Sequence, residues 1–156
     1  MTAQTPADAI AHAINASLWL VPAANVAHIL GFVLIVGPVL AFDFRLLGLT
    51  RNSPVRTLAK SLLPWPFVGA LLAVPAGMLL FAADAQALLG NGAFRLKMLL
   101  LACTGTNAVA FHLGAYRRAA EAGTGESVPV RARVHAGLSV LLWLGILTCG
   151  RMIAYL

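Results

Sequence analysis

Charged side chains are scarce in this chain, and their scarcity excludes a soluble globular protein. Asp, Glu, Lys and Arg make up only 10% of the 156 residues, whereas about 25% is typical of a soluble domain. Acidic residues are the rarest, five against eleven basic ones, and the net charge is +6. With 60% hydrophobic residues the chain predicts a single integral membrane domain, in which basic residues orient the protein and bind no nucleic acid.

Cysteine is scarce too, and the missing motifs exclude several kinds of chemistry. Cys103 and Cys149 are the only cysteines and both lie in apolar runs, which argues against a disulfide framework. The sequence has no Cys-x-x-Cys-His, so a covalently attached c-type haem is excluded. It also has no phosphate-binding loop and no spaced nucleophile, base and acid, so nothing indicates a hydrolase.

Four apolar runs are long enough to cross a bilayer, which needs about 20 helical residues. They cover residues 19–44, 62–83, 94–116 and 134–155. Before them, residues 6–18 carry Ile10, Ile14 and Leu18 at intervals of four, which predicts a short amphipathic helix at the membrane surface. We therefore expect an all-α fold, a single four-transmembrane-helix bundle over residues 1–156 with an N-terminal amphipathic surface helix.

Basic residues are concentrated in two of the loops. Eight of the eleven follow the first span or lie between the third and fourth, namely Arg45, Arg51, Arg56, Lys60, Arg117, Arg118, Arg131 and Arg133. By the positive-inside rule these loops face the cytoplasm. The expected location is the bacterial inner membrane, with several passes and both termini in the periplasm.

Three histidines, His28, His112 and His135, lie inside or at the ends of the apolar spans. An ionisable side chain at membrane depth is costly and marks a functional site by default, and imidazole is a common ligand of haem iron. Helical rise places His112 and His135 in the cytoplasmic half, on helices that a short loop makes neighbours. We predict that these two ligate one haem b, with Gly105 and Ala108 leaving room for the macrocycle.

Other residues extend this prediction. A second haem, in the outer half, could use His28, with His12, Met98 or Met152 as its partner. Three basic residues at span ends could bind haem propionates, because cations pair with carboxylates: Arg45, Lys97 and Arg151. Anchoring at the membrane surface would explain them as well. Asp43 and Arg45 form an acid–base pair two residues apart at the inner end of the first span.

From Trp19 onward the chain resembles a family of small bacterial four-helix membrane proteins of unknown function. The likeness is carried by His28-Ile29-Leu30-Gly31, Leu63-Pro64-Trp65, Phe94-Arg95-Leu96-Lys97, Phe111-His112 and Gly150-Arg151-Met152. It implies four helices and brings no activity; His28 and His112 fall on its pattern and His135 does not. The first span is also similar to copper-resistance D-type membrane domains and to haem-carrying membrane protoporphyrinogen oxidases, which implies haem or copper as the ligand.

The leading hypothesis is a b-type cytochrome that transfers electrons, with quinone or a redox protein as its partner. An electron-transfer protein is favoured over a stand-alone enzyme. Copper binding or transport is the alternative, because His28 with Met78, Met98 and Met152 would form an imidazole and thioether set suited to Cu(I). A third hypothesis is a non-catalytic membrane subunit of a larger complex or a homo-oligomer, in which the histidines only connect helices.

Overall fold

A computed structural model describes residues 6–155, and within that range the chain contains helices and loops but no strand. The helices are α1 (Pro6–Asn15), α2 (Leu20–Leu47), α3 (Val55–Leu62), α4 (Pro64–Ala83), α5 (Ala85–Gly90), α6 (Gly92–Ala110), α7 (Tyr116–Ala119) and α8 (Val130–Met152). A π-helical turn, Phe111–Ala115, joins α6 to α7. The predicted all-α architecture is confirmed.

Four helical stretches are long and apolar enough to cross a membrane, as predicted. They are Leu20–Leu47, Val55–Ala83, Gly92–Ala119 and Val130–Met152. The second is interrupted at Leu63, where α3 ends and Pro64 begins α4, because proline lacks the N–H that a continuous helix would need. The second and fourth stretches begin earlier than predicted, since polar and basic residues extend each helix beyond its apolar run.

Helices α2 and α4 form a closely packed hairpin. A Cβ built on Gly31 would lie 2.6 Å from the Ala73 nitrogen, and one on Gly69 would lie 2.5 Å from the Gly31 oxygen. Small residues let two membrane helices approach to backbone contact, where dispersion and weak polar contacts stabilise the pair. His28 Nδ1 adds a hydrogen bond to the Ala73 carbonyl at 2.8 Å.

Helices α6 and α8 form a second hairpin, in which Leu100 packs against Gly145 and Asn107 is hydrogen-bonded to His135. The two hairpins meet along α2 and α8, where Phe32 and Trp143 make an edge-to-face contact with ring centroids 5.6 Å apart. We call this line of contact the seam. Within residues 6–155, α6 packs chiefly against α8, and it meets α4 mainly near their outer ends. A cleft therefore remains between α4 and α6 on the opposite half of the bundle.

The loops at the basic end of the bundle are held by Arg45, which is only 1% exposed. Its guanidinium donates to the carbonyls of Ser53 at 2.8 Å, Gly123 at 2.8 Å and Glu126 at 3.4 Å. The expected pairing of Arg45 with Asp43 is wrong in detail, because side chains two residues apart on a helix point to different sides. Arg45 instead connects the end of α2 to two loops.

The N-terminal helix lies against the other end of the bundle. It ends at Asn15, three residues before the predicted end, and Asn15 Nδ2 donates to the Ala83 carbonyl at 3.0 Å. Leu18 and Trp19 follow it at 87% and 80% exposure. The predicted short helix is present, and its contact with the end of α4 places it beside the ends of the spans.

Candidate haem cleft

The cleft between α4 and α6 has a volume of about 320 Å³. This is at the lower end of the roughly 300–1,000 Å³ of ligand pockets, but the cleft is open on one side, since Gly105, Ala108 and His112 line it and are exposed. Its remaining polar lining residues are Asp43, Thr104, Asn107, His135, Ser139 and Trp143. Leu63 and Pro66, at the start of α4, line the other side. Two of the three predicted ligands, His112 and His135, are thus brought to one cleft.

His112 lies in the π turn Phe111–Ala115. Turns of this kind are rare, and they occur often at functional sites because the extra residue changes where the following side chains point. His112 Nδ1 is 2.9 Å from the carbonyl oxygen of Ala108. Its ring stacks on Tyr116 and meets Phe111 edge to face, each with centroids 5.4 Å apart. These contacts orient an imidazole that is otherwise exposed.

His135 is held by a reciprocal pair of hydrogen bonds with Asn107, which is 8% exposed. His135 Nδ1 is 2.8 Å from Asn107 Oδ1, and Asn107 Nδ2 donates to the His135 carbonyl at 3.0 Å. The His135 ring also meets Phe111 edge to face, at 6.0 Å between centroids. Phe111 therefore contacts both imidazoles that line the cleft.

The hydrogen bonds at Nδ1 determine which nitrogen of each ring can bind a metal. Ala108 offers a carbonyl oxygen and Asn107 an amide oxygen, neither of which can donate, so Nδ1 carries the proton in both rings. In the neutral imidazole the lone pair is then on Nε2. A histidine metal ligand typically donates its other N–H to a carbonyl or carboxylate in this way. Both side chains are therefore prepared to ligate through Nε2.

The depths of the two histidines differ from the expected order. The sequence placed His135 nearer the cytoplasm than His112, because it follows Arg133 so closely. The hydrogen-bonded pair instead puts His135 level with Asn107, five residues and roughly 7 Å before His112 along α6. Side chains tilt toward the N-terminus of their helix, so on these antiparallel helices the two rings lean toward each other and the offset is reduced.

Two buried polar atoms in the cleft have no hydrogen-bond partner among the described residues. They are Asp43 Oδ2 and Trp143 Nε1, in side chains that are 5% and 6% exposed. Ser139 lies beside the Asp43 carboxyl group. Sequence reasoning missed both residues, since Asp43 was paired with Arg45 and Trp143 is hidden in an apolar run. The spacing of His135, Ser139 and Trp143, four residues apart, carried the signal of a shared face.

His28 lies outside the cleft. Its Nδ1 is bonded to the Ala73 carbonyl, and its ring packs against the Gly77 backbone so closely that a Cβ there would be 2.9 Å from Cε1. Met78, Met98 and Met152, the methionines that would complete a copper site, are all at least 40% exposed. Among residues 6–155 no group of three or more His, Cys, Asp or Glu side chains could hold a metal ion. A haem iron needs only two axial ligands from the protein.

The basic residues expected to bind propionates lie elsewhere. Arg45 is engaged by loop carbonyls, as described above. Lys97 lies over Gly150, and Arg151 stacks its guanidinium 4.8 Å from the Tyr155 ring centroid, so both are at the far end of the bundle from the cleft. None of the three lines the cleft. Their role as carboxylate partners stays a prediction, and the observed contacts favour structural roles.

Comparison of the chain with protein-family models, with curated proteins and with solved structures finds no match. The resemblances drawn from short motifs are therefore not supported by these comparisons. The assignment of function depends on the cleft and on its side chains. Cys103 and Cys149 are both free thiols, in agreement with the expected absence of a disulfide between them.

Proposed function

We propose that the protein is a membrane b-type haem protein that transfers electrons, with His112 and His135 as the axial ligands of one haem. One observation supports it above the others. Two imidazoles from different spans line the same cleft, with Nδ1 engaged and Nε2 left to ligate. Imidazole on both sides of the iron leaves no vacant position, which suits electron transfer better than oxygen binding.

The residues present fit a haem in their donor chemistry and in the place that they leave for it. Asn107 and His135 are in direct contact, so α6 and α8 leave no gap for a macrocycle at that level. The cleft beside them is open, and Gly105 and Ala108 give it a flat wall without large side chains. When bound, the haem supplies a one-electron centre. Its outer edge would lie in the lipid, which explains how a cleft with a small enclosed volume could serve.

The surrounding residues have distinct roles in this proposal. Asn107 fixes the orientation of the His135 ring, and the Ala108 carbonyl fixes that of His112. Phe111 packs against both rings and restricts water access from that side. The proposal covers one haem. His28 is engaged between α2 and α4, and no observation in the structure favours a second haem or a copper site.

The optical spectrum of the purified protein tests this proposal. We expect protein from haem-replete cells, solubilised in detergent, to carry about one haem per chain. Its oxidised and reduced spectra should be those of low-spin iron with two imidazole ligands, and treatment with acid acetone should extract the haem because no covalent bond holds it. Protein with full haem supply and no Soret absorbance would contradict the proposal.

The four membrane helices are compatible with the inner membrane of a bacterium, and the basic loops favour one orientation. Arg45 holds together the loops that contain Ser53 and Gly123, so these two loops lie on the same side. We expect a reporter active only in the periplasm to work when fused to either terminus, and to fail when inserted between Gly123 and Glu126. A reporter active only in the cytoplasm should give the opposite pattern, and cytoplasmic activity at the C-terminus would reverse the proposed topology.

A further inference from the structure

We propose that the end of the cleft between Asp43 and Trp143 binds the ring of a lipid-soluble quinone or quinol. We call this the quinone subsite. The proposal rests on the proposed electron transfer only for what the ligand would do there. Its binding stands on separate residues, which neither ligate the haem nor hold the ligating rings.

The two unpartnered atoms supply the first argument. Buried polar groups are nearly always hydrogen-bonded, and leaving one unsatisfied costs about 1–3 kcal/mol. Asp43 Oδ2 and Trp143 Nε1 are unsatisfied in the same cleft, on the two helices that form the seam. Indole offers only a donor, whereas a carboxyl oxygen accepts. A molecule that satisfies both must therefore present an acceptor and a donor.

The position of the subsite separates it from the histidines. His135 and Trp143 are eight residues apart on α8, which is about 12 Å of helix. Asp43 lies beside Ser139, midway between them. A ring at Trp143 and a macrocycle at His112 and His135 would thus occupy different ends of one cleft that is open to the lipid along its length.

The lining and the access route identify the class of ligand. Ile35, Val39 and Leu101 line this end of the cleft, and none of its lining residues is Lys or Arg. An anion would meet the Asp43 carboxyl group without any cation to balance it. The open side faces the lipid, so the ligand arrives from the membrane. A quinol meets all these conditions, because one ring oxygen accepts from Trp143 while the hydroxyl on the opposite side donates to Asp43.

Binding of decylubiquinol, and of its quinone, to the detergent-solubilised full chain tests the proposal. Titration calorimetry should show saturable binding. Of the three tryptophan indole N–H resonances, the one that disappears in Trp143→Phe should be the one that shifts with ligand. Trp143→Phe and Asp43→Leu should each weaken quinol binding about tenfold, the effect of losing one buried hydrogen bond. Trp65→Phe and Asp84→Asn, which change residues outside the cleft, should bind as the wild type does.

The outcomes separate this inference from the haem proposal. Binding without Soret absorbance would overturn the haem and keep the subsite, whereas a haem spectrum without quinone binding would do the reverse. If Asp43→Leu fails to fold, Asp43→Asn keeps the shape, and Trp143→Phe alone remains decisive. Unchanged affinity in Trp143→Phe, or no saturable binding by the wild type, would leave only water in this end of the cleft and overturn the proposal.

Discussion

Replacing either cleft histidine by alanine should remove most of the haem or convert its low-spin spectrum to a high-spin one. His112→Ala and His135→Ala each delete one of the two proposed axial nitrogens, so the iron would keep a single protein ligand. The double variant should carry no haem at this site. Haem per chain from pyridine haemochrome assays and the position of the Soret band are the measurements.

Two further variants make this experiment specific. His28→Ala removes a membrane histidine that lies outside the cleft, so it should keep the wild-type haem content even if its loss weakens the α2–α4 hairpin. Asn107→Leu keeps both ligands and removes the hydrogen bonds that orient His135, so it should broaden or shift the spectrum with partial retention of haem. Wild-type spectra in both His112→Ala and His135→Ala would contradict the assignment.

Replacing Gly31 by leucine should destabilise the bundle more than any other single change to a glycine. Its Cβ would lie 2.6 Å from the Ala73 nitrogen and 2.7 Å from the Gly69 oxygen, which are backbone atoms that no rotamer change can move. The hairpin would have to separate and lose the His28–Ala73 hydrogen bond as well. Overpacking costs about 1–3 kcal/mol and occasionally more, and we expect the upper end, a fall of about 10 °C in thermal midpoint.

Gly37 provides the matched control, because it lies on the same helix and a Cβ there meets nothing within 4 Å. Gly37→Ala should unfold within a few degrees of the wild type in the same detergent. Equal losses in Gly31→Leu and Gly37→Ala would show that helix propensity, and not the close approach of α2 and α4, determines the effect. A stable Gly31→Leu protein would show that the hairpin is looser than its backbone distances imply.

The main features of the fold follow from hydrophobicity and loop composition. Each apolar run became a membrane helix, because a spanning segment must satisfy its backbone internally and only helix does so within one segment. The helix ends were less accessible. Val55–Leu62 is short and partly polar, so hydropathy placed it in a loop, while its buried Val55 and Ala59 hold it as a helix against the bundle.

The site was accessible only in part. The sequence indicated that His112 and His135 would be neighbours, since the short loop makes their helices antiparallel. It did not reveal the partners at Nδ1, because Asn107 is 28 residues from His135 and the pairing depends on how α6 and α8 align. The π turn at His112 was also hidden, since it changes only the hydrogen-bond pattern of a continuous helix. Asp43 was assigned to Arg45 by proximity in the chain, and helix geometry separates them.

The seam between the hairpins has a consequence for how the bundle accommodates guests. Each hairpin is stabilised by its own contacts, Gly31 against Gly69 in one and Asn107 with His135 in the other. A small rotation about the line where Phe32 meets Trp143 would change the separation of α4 and α6 while both hairpins stay intact. The cost of admitting a thicker molecule then falls on one helix pair. When that molecule leaves, lipid tails can fill the gap, so the bundle has no need to collapse.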